Sequence, residues 1–127
     1  MALKNIHGDK KTLRNIHADG VRRFRTQIGD AAFQQIDDWL MDRFAESEWV
    51  NTTFVAPKRW SDTPLQAIWD SYVTVPDEHE RHEQAAKMYG CLVYSVLFDK
   101  PETYLYHRPE GHHSDDTRPF GLTYRRE

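Results

Sequence analysis

The sequence predicts an α+β domain with helices packed on one face of a small, mainly antiparallel sheet. Three observations lead to this prediction. Apolar side chains recur at helical spacing in three stretches, two short stretches near residue 127 alternate between polar and apolar residues, and polar turn-forming residues separate them. The 127 residues fit one domain. We expect a basic arm or hairpin over residues 1–18 and a single domain over residues 19–127, in the order helix, strand, helix, helix, strand, strand.

The first predicted helix covers residues 19–46, where apolar residues follow helical spacing on both sides of Gly29. Gly29 favours a break, and the carboxylate of Asp30 is expected to cap the second part. The outer face of that part is predicted to be acidic, with Arg43 as its only cation. Its acidic residues are Asp37, Asp38, Asp42 and Glu46.

Residues 49–55 are rich in β-branched and aromatic side chains and predict a strand. The next helix has a start signal at residues 63–66. Thr63 is placed to accept from the amide of Gln66, the Gln66 side chain is placed to reach back, and Pro64 suits the first helical position.

A longer helix is predicted over about residues 77–98. Carboxylates fill its first turn, where they favour the positive end of the helix dipole. Residues 85–98 are apolar around most of the helix circumference, so we expect this half to be the most buried helix of the domain.

Two strands are predicted near residue 127, over residues 103–107 and 118–125, because aromatic and apolar residues alternate there. Residues 109–117 between them are polar and turn-forming, which indicates an exposed hairpin loop that is more mobile than its strands.

Charge is unevenly distributed along the chain. Residues 1–25 carry seven Lys or Arg and two Asp, a net +5, whereas residues 26–127 carry a net −8. The basic stretch contains the echo LKNIHGD and LRNIHAD, ten residues apart. A basic arm favours an acidic partner, either nucleic acid, another protein or the acidic body of the same protein. The isoelectric point of about 6.1 favours the last two, because nucleic-acid-binding domains are usually basic.

Histidines and acidic residues form two candidate chemical sites. The predicted hairpin loop and the strand before it offer imidazole and carboxylate groups for acid/base work or a divalent ion. These residues are His107, His112, His113, Asp115 and Asp116. His79 and His82 are three residues apart on the long helix, on one face, and are candidate metal ligands. For both patterns, ordinary solvated polar residues are the favoured interpretation.

Two further regions of the sequence contain candidate binding residues. Arg22, Arg23 and Arg25 flank Phe24, a pattern that can hold phosphates and stack a base. Trp60 lies in the polar stretch KRWSDT and is predicted to be partly exposed. The other tryptophans and tyrosines are interpreted mainly as core residues.

The sequence therefore predicts a small soluble binding or interaction protein, contacting a protein or small ligand through its sheet or aromatic surface, and homodimerisation is a further expectation. Alternatives are a nucleic-acid binder that uses the basic arm and a small metal-assisted or acid/base enzyme that uses the His/Asp loop. No cofactor motif is present. The lone Cys91 and the lack of a signal peptide or membrane-spanning stretch predict a cytoplasmic protein without membrane contact.

Overall fold

The computed structural model describes residues 3–5, 15–52, 60–107 and 122–127. Within them, one strand precedes helices and strands that follow the predicted order, so the α+β prediction is confirmed. The elements are β1 (Leu3–Asn5), α1 (Ala18–Ile28), α2 (Asp30–Glu46), β2 (Val50–Asn51), α3 (Gln66–Ser71), α4 (Glu78–Phe98), β3 (Tyr104–His107) and β4 (Thr123–Arg126).

The strands form one sheet in the order β1-β3-β4-β2. β4 pairs antiparallel with both β3 and β2, as expected for a mainly antiparallel sheet. β1 instead pairs parallel with β3, with Leu3 opposite Tyr104. This strand lies within the predicted arm or hairpin, of which residues 6–14 are outside the described residues.

The core is one cluster of buried side chains that spans the sheet and all four helices, and the second half of α4 contributes the largest share of them. Leu92, Val93 and Leu97 have no exposed surface, and ten residues of this helix are buried. The prediction that residues 85–98 form the central helix is confirmed. Most large aromatic side chains also belong to the core, as the composition indicated. Those with 2% exposure or less are Trp60, Tyr89, Tyr94, Tyr104, Tyr106 and Tyr124.

The break between α1 and α2 occurs at Gly29, as predicted. Its φ of 92° is a backbone conformation that favours glycine. The predicted cap by Asp30 is wrong, because Asp30 is the first residue of α2 and its carboxylate accepts from Arg25 Nε at 2.8 Å.

The start of α3 also differs from the prediction. The amide of Leu65 donates to Thr63 Oγ1 at 3.2 Å, while the amide of Gln66 donates to the carbonyl of Thr63 at 3.1 Å. The Gln66 side chain donates forward to Asp70 Oδ1 at 2.7 Å, so it does not reach back. A backbone turn therefore satisfies the donor that the predicted capping box assigned to the threonine hydroxyl.

Two predicted elements lie partly outside the described residues. Of the predicted strand 49–55, residues 50 and 51 form β2; of the predicted strand 118–125, residues 123–125 belong to β4. The predicted loop over residues 109–117 is outside the described ranges. Among the residues that are described, no helix combines the length and apolar character needed to cross a bilayer.

Candidate functional site

A cleft of about 280 Å³ lies where α1 and α2 meet the last turn of α4. Its lining combines apolar side chains with charged ones, which is the usual composition of small-molecule sites. The lining residues are Ala18, Val21, Arg22, Arg25, Phe33, Asp37, Ser95, Val96, Asp99 and Lys100.

One wall of the cleft is an ion pair between α2 and the residue pair that follows α4. Lys100 Nζ donates to Asp37 Oδ1 at 2.8 Å and to Oδ2 at 3.1 Å. The side chains are only 25% and 16% exposed, respectively. The prediction that Asp37 belongs to an exposed acidic face is therefore wrong, because this carboxylate turns inward to an ammonium group 63 residues away.

Asn15 holds the segment before α1 against the end of α4. Its Nδ2 lies 3.2 Å from Ser95 Oγ and 3.3 Å from Asp99 Oδ1. Both acceptor residues also line the cleft. These contacts fix the α4 side of the cleft relative to α1.

Gly29 sets the geometry of the opposite side. The turn there places Asp30 and Phe33 of α2 beside Arg25 of α1. Arg25 Nε donates to Asp30 at 2.8 Å, and its guanidinium carbon lies 4.9 Å from the centre of the Phe33 ring. A carboxylate and an aromatic face therefore hold this guanidinium at the edge of the cleft.

The basic residues of α1 differ from a nucleic-acid-binding pattern. Arg22 and Arg23 are exposed, and Arg22 pairs with Asp19 at 3.2 Å. Phe24 is only 3% exposed and belongs to the core. The interpretation of Phe24 as a base-stacking residue is wrong, because helical spacing directs it inward while its charged neighbours remain at the surface.

Trp60 is also buried, at 1% exposure, so the prediction of partial exposure is wrong. Its Nε1 donates to His82 Nδ1 at 3.3 Å, and its ring stacks on Trp69 at 6.1 Å. Arg81 covers the same Trp69 ring at 3.9 Å. Trp60 and Trp69 therefore form an aromatic cluster that packs against Arg81 and His82 at the start of α4. The polar residues next to Trp60 in sequence gave no indication of this cluster.

The two candidate metal ligands on α4 have different partners. His79 Nε2 lies 3.0 Å from Glu83 Oε1, whereas the ring of His82 packs edge-on to Trp60. The described part of the chain contains no group of three or more His, Cys, Asp or Glu that could hold a metal ion.

His107 is the one described member of the candidate His/Asp site. Its ring packs edge-on to Trp49 at 4.8 Å, and the Arg125 guanidinium lies over the same tryptophan. His112, His113, Asp115 and Asp116 lie outside the described residues.

Burial changes the pKa of three groups near α4. It raises the pKa of Tyr89 to about 12, although nearby Arg43 acts in the opposite direction. It also raises the pKa of Cys91 and of Tyr72. The half-buried Cys91 thiol therefore resists ionisation, which agrees with the interpretation of this residue as a packing element.

The cleft as a whole was not predicted. Arg22 and Arg25 were candidate binding residues, but for nucleic acid. Asp37, Asp99 and Lys100 were not candidates, since the sequence contains no local motif joining them to α1.

Comparison of the chain with protein-family models, with curated proteins and with solved structures gives no match.

Proposed function

We propose that this chain is a binding protein for a small molecule, which occupies the cleft between α1, α2 and the end of α4. The observation that carries the proposal is the cleft itself, about 280 Å³ in volume, with an apolar floor and a charged rim. Sites for drug-sized ligands measure roughly 300–1,000 Å³, so this cleft suits a small one.

The supports around the cleft favour a site formed before the ligand arrives. The Asp37–Lys100 pair, the Asn15 contacts and the Arg25–Asp30 pair each join two different segments across it. A site held open in this way loses little conformational entropy on binding.

The cleft replaces the sheet or aromatic surface as the proposed contact region. Tyr104, Tyr106 and Tyr124 of the sheet are fully buried, and so are Trp60 and Tyr94. Their polar tips and ring faces are therefore not available to a partner.

Occupancy of the cleft is tested by filling it. Ala18 lines the cleft and is half-buried, so Ala18→Trp should block it. Ala45 is exposed on α2 and does not line it, so Ala45→Trp is the matched control. A library of small metabolites is screened by ligand-detected NMR against all three folded proteins.

Compounds that bind wild type and Ala45→Trp but not Ala18→Trp support the proposal. A library in which every binder is insensitive to Ala18→Trp would contradict it.

Protein contact, homodimerisation and cytoplasmic location remain proposals. Sedimentation equilibrium over a range of protein concentrations tests self-association, and cell fractionation tests location. A single sedimenting species with the 15.0 kDa mass of one chain at every concentration would contradict the dimer.

The nucleic-acid alternative is weakened by the burial of Phe24, since only the arginines remain for phosphate contacts. A gel shift that is lost steeply with added salt would favour nucleic-acid binding over small-molecule binding in the cleft.

The enzyme alternative depends on residues 112–116. Calorimetric titration with zinc or manganese, on wild type and on a His112→Ala/His113→Ala double variant, tests it.

A further inference from the structure

We infer that the cleft recognises an organic anion, whose carboxylate or phosphate group is bound by the terminal nitrogens of Arg25. The inference rests on the proposed small-molecule function and names the chemistry of the ligand.

The orientation of Arg25 is the first argument. Its bond to Asp30 uses Nε, and its flat face lies over Phe33. Within the described part of the chain, Nη1 and Nη2 make no hydrogen bond to another residue. A guanidinium fixed at one edge keeps its other donors in a fork that matches the two oxygens of a carboxylate or phosphate.

The distribution of charge around the cleft is the second argument. Arg22 lies one helical turn before Arg25 and lines the same cleft. Asp37 is already neutralised by Lys100 at 2.8 Å. Arg22 and Arg25 also have carboxylate partners, Asp19 at 3.2 Å and Asp30 at 2.8 Å, but these carboxylates are not among the lining residues. The lining itself carries three cations and two carboxylates, a net +1 (3 − 2). Asp99 is then the one lining carboxylate without a cationic partner among the described residues.

The apolar floor is the third argument. Val21, Phe33 and Val96 are each less than 10% exposed and form the base of the cleft beside the arginines. An inorganic ion would leave this surface in contact with water. An anion with a small apolar body would cover it, so the site favours an organic acid or phosphate ester over free phosphate.

Matched probes test the charge requirement. Butyrate and benzoate are compared with butyramide and benzamide, which have nearly the same shape and no charge. Phenyl phosphate and inorganic phosphate distinguish the two anionic groups and the contribution of the apolar body. Binding is followed by the shifts of the cleft amides and of the Arg25 side-chain N–H in ¹⁵N-labelled protein.

The expected result is saturable binding of the organic anions, with the amides weaker by about tenfold or more and inorganic phosphate weaker by about threefold. Equal binding of acids and amides that Ala18→Trp abolishes would overturn this inference but leave the proposed function intact. Failure of every anionic probe to bind would also overturn it. The metabolite screen alone then decides the proposed function.

Variants test the residues. Arg25→Gln should weaken organic-anion binding by about tenfold, and Arg25→Lys should restore little of it because lysine lacks the fork. Asp99→Asn should strengthen binding about threefold by removing a like charge. Unchanged affinity in Arg25→Gln, or weaker binding in Asp99→Asn, would contradict anion recognition at this position. Circular dichroism confirms that each variant is folded.

Discussion

The two halves of α4 belong to one helix but are stabilised by different interactions. In the first half, residues 78–84, the side chains are polar and none is fully buried. Its contacts are a local cap, in which Asp77 Oδ1 accepts from the His79 amide at 3.0 Å, local side-chain pairs, and the packing of Arg81 and His82 against Trp69 and Trp60. In the second half, residues 85–98, ten residues are buried.

The difference shows that helix formation has two separable sources here. Local caps and pairs contribute about 1 kcal/mol or less each, whereas burial of one large apolar side chain contributes several times as much. Damage to the second half should therefore unfold the domain, and damage to the first half should fray one end of the helix.

Leu92→Ala should give the largest effect. Leu92 is fully buried, so its truncation should lower the free energy of unfolding by about 2–5 kcal/mol through lost apolar burial and a residual cavity. Lys87→Ala, on an exposed position of the same helix, should change it by about 0.5 kcal/mol at most. Urea unfolding measures both. Equal losses of unfolding free energy in Leu92→Ala and Lys87→Ala would show that buried and exposed positions of residues 85–98 contribute equally, which contradicts the prediction.

Tyr89 should make the buried half sensitive to alkaline pH. Its pKa rises from 10.0 to about 12 on folding, so the unfolded chain loses this proton first. This contribution to stability is intact below pH 10, falls as pH rises and is reduced by about 2 kcal/mol at pH 12.

Urea unfolding between pH 9 and about pH 11.5 should show a shallower decline for Tyr89→Phe than for wild type, over the range set by this pKa. The raised pKa values of Cys91 and Tyr72 are shared by both proteins and cancel in the difference. Parallel pH profiles would contradict the burial of the phenol.

Asp77→Ala tests the first half. It removes the carboxylate that accepts from the His79 amide, and should cost about 1 kcal/mol. Asp77→Asn should retain most of the stability, since asparagine caps nearly as well. Amide hydrogen exchange should accelerate in residues 78–82 and remain unchanged in residues 90–97. Acceleration throughout the helix would show that the halves are not separable.

Glu83→Gln should give the smallest effect. The His79–Glu83 pair is exposed at both side chains, so its loss should cost about 0.3 kcal/mol or less, and added salt should remove the difference. Thermal unfolding at low and high salt measures it. A loss above about 1 kcal/mol would mean that this pair supports more than the local helix.

Sequence patterns predicted the parts of the fold that depend on near neighbours. The helical spacing around Leu92 and the carboxylates near Asp77 placed α4 almost to the residue, and Gly29 marked the break between α1 and α2. These signals work because each depends on side chains within one or two helical turns.

The errors concern interactions between distant residues. Asp37 was expected at the surface because its partner, Lys100, is 63 positions away. Trp60 was expected in part at the surface because its sequence neighbours are polar, whereas its contacts are with Trp69 and His82. The cleft was not predicted because α1, α2 and the end of α4 each contribute only a few of its side chains.

The parallel pairing of β1 with β3 has a consequence for folding kinetics. Leu3 lies opposite Tyr104, so roughly a hundred residues separate the two partners along the chain. The entropy of closing so large a loop has to be offset before the pairing contributes stability, whereas α1 and α2 need only short-range contacts. During synthesis β1 emerges from the ribosome first, but its partner β3 emerges only after all four helices. The helices can therefore pack against one another before β1 pairs with β3. We therefore expect docking of this edge strand to be a late, slow step of folding.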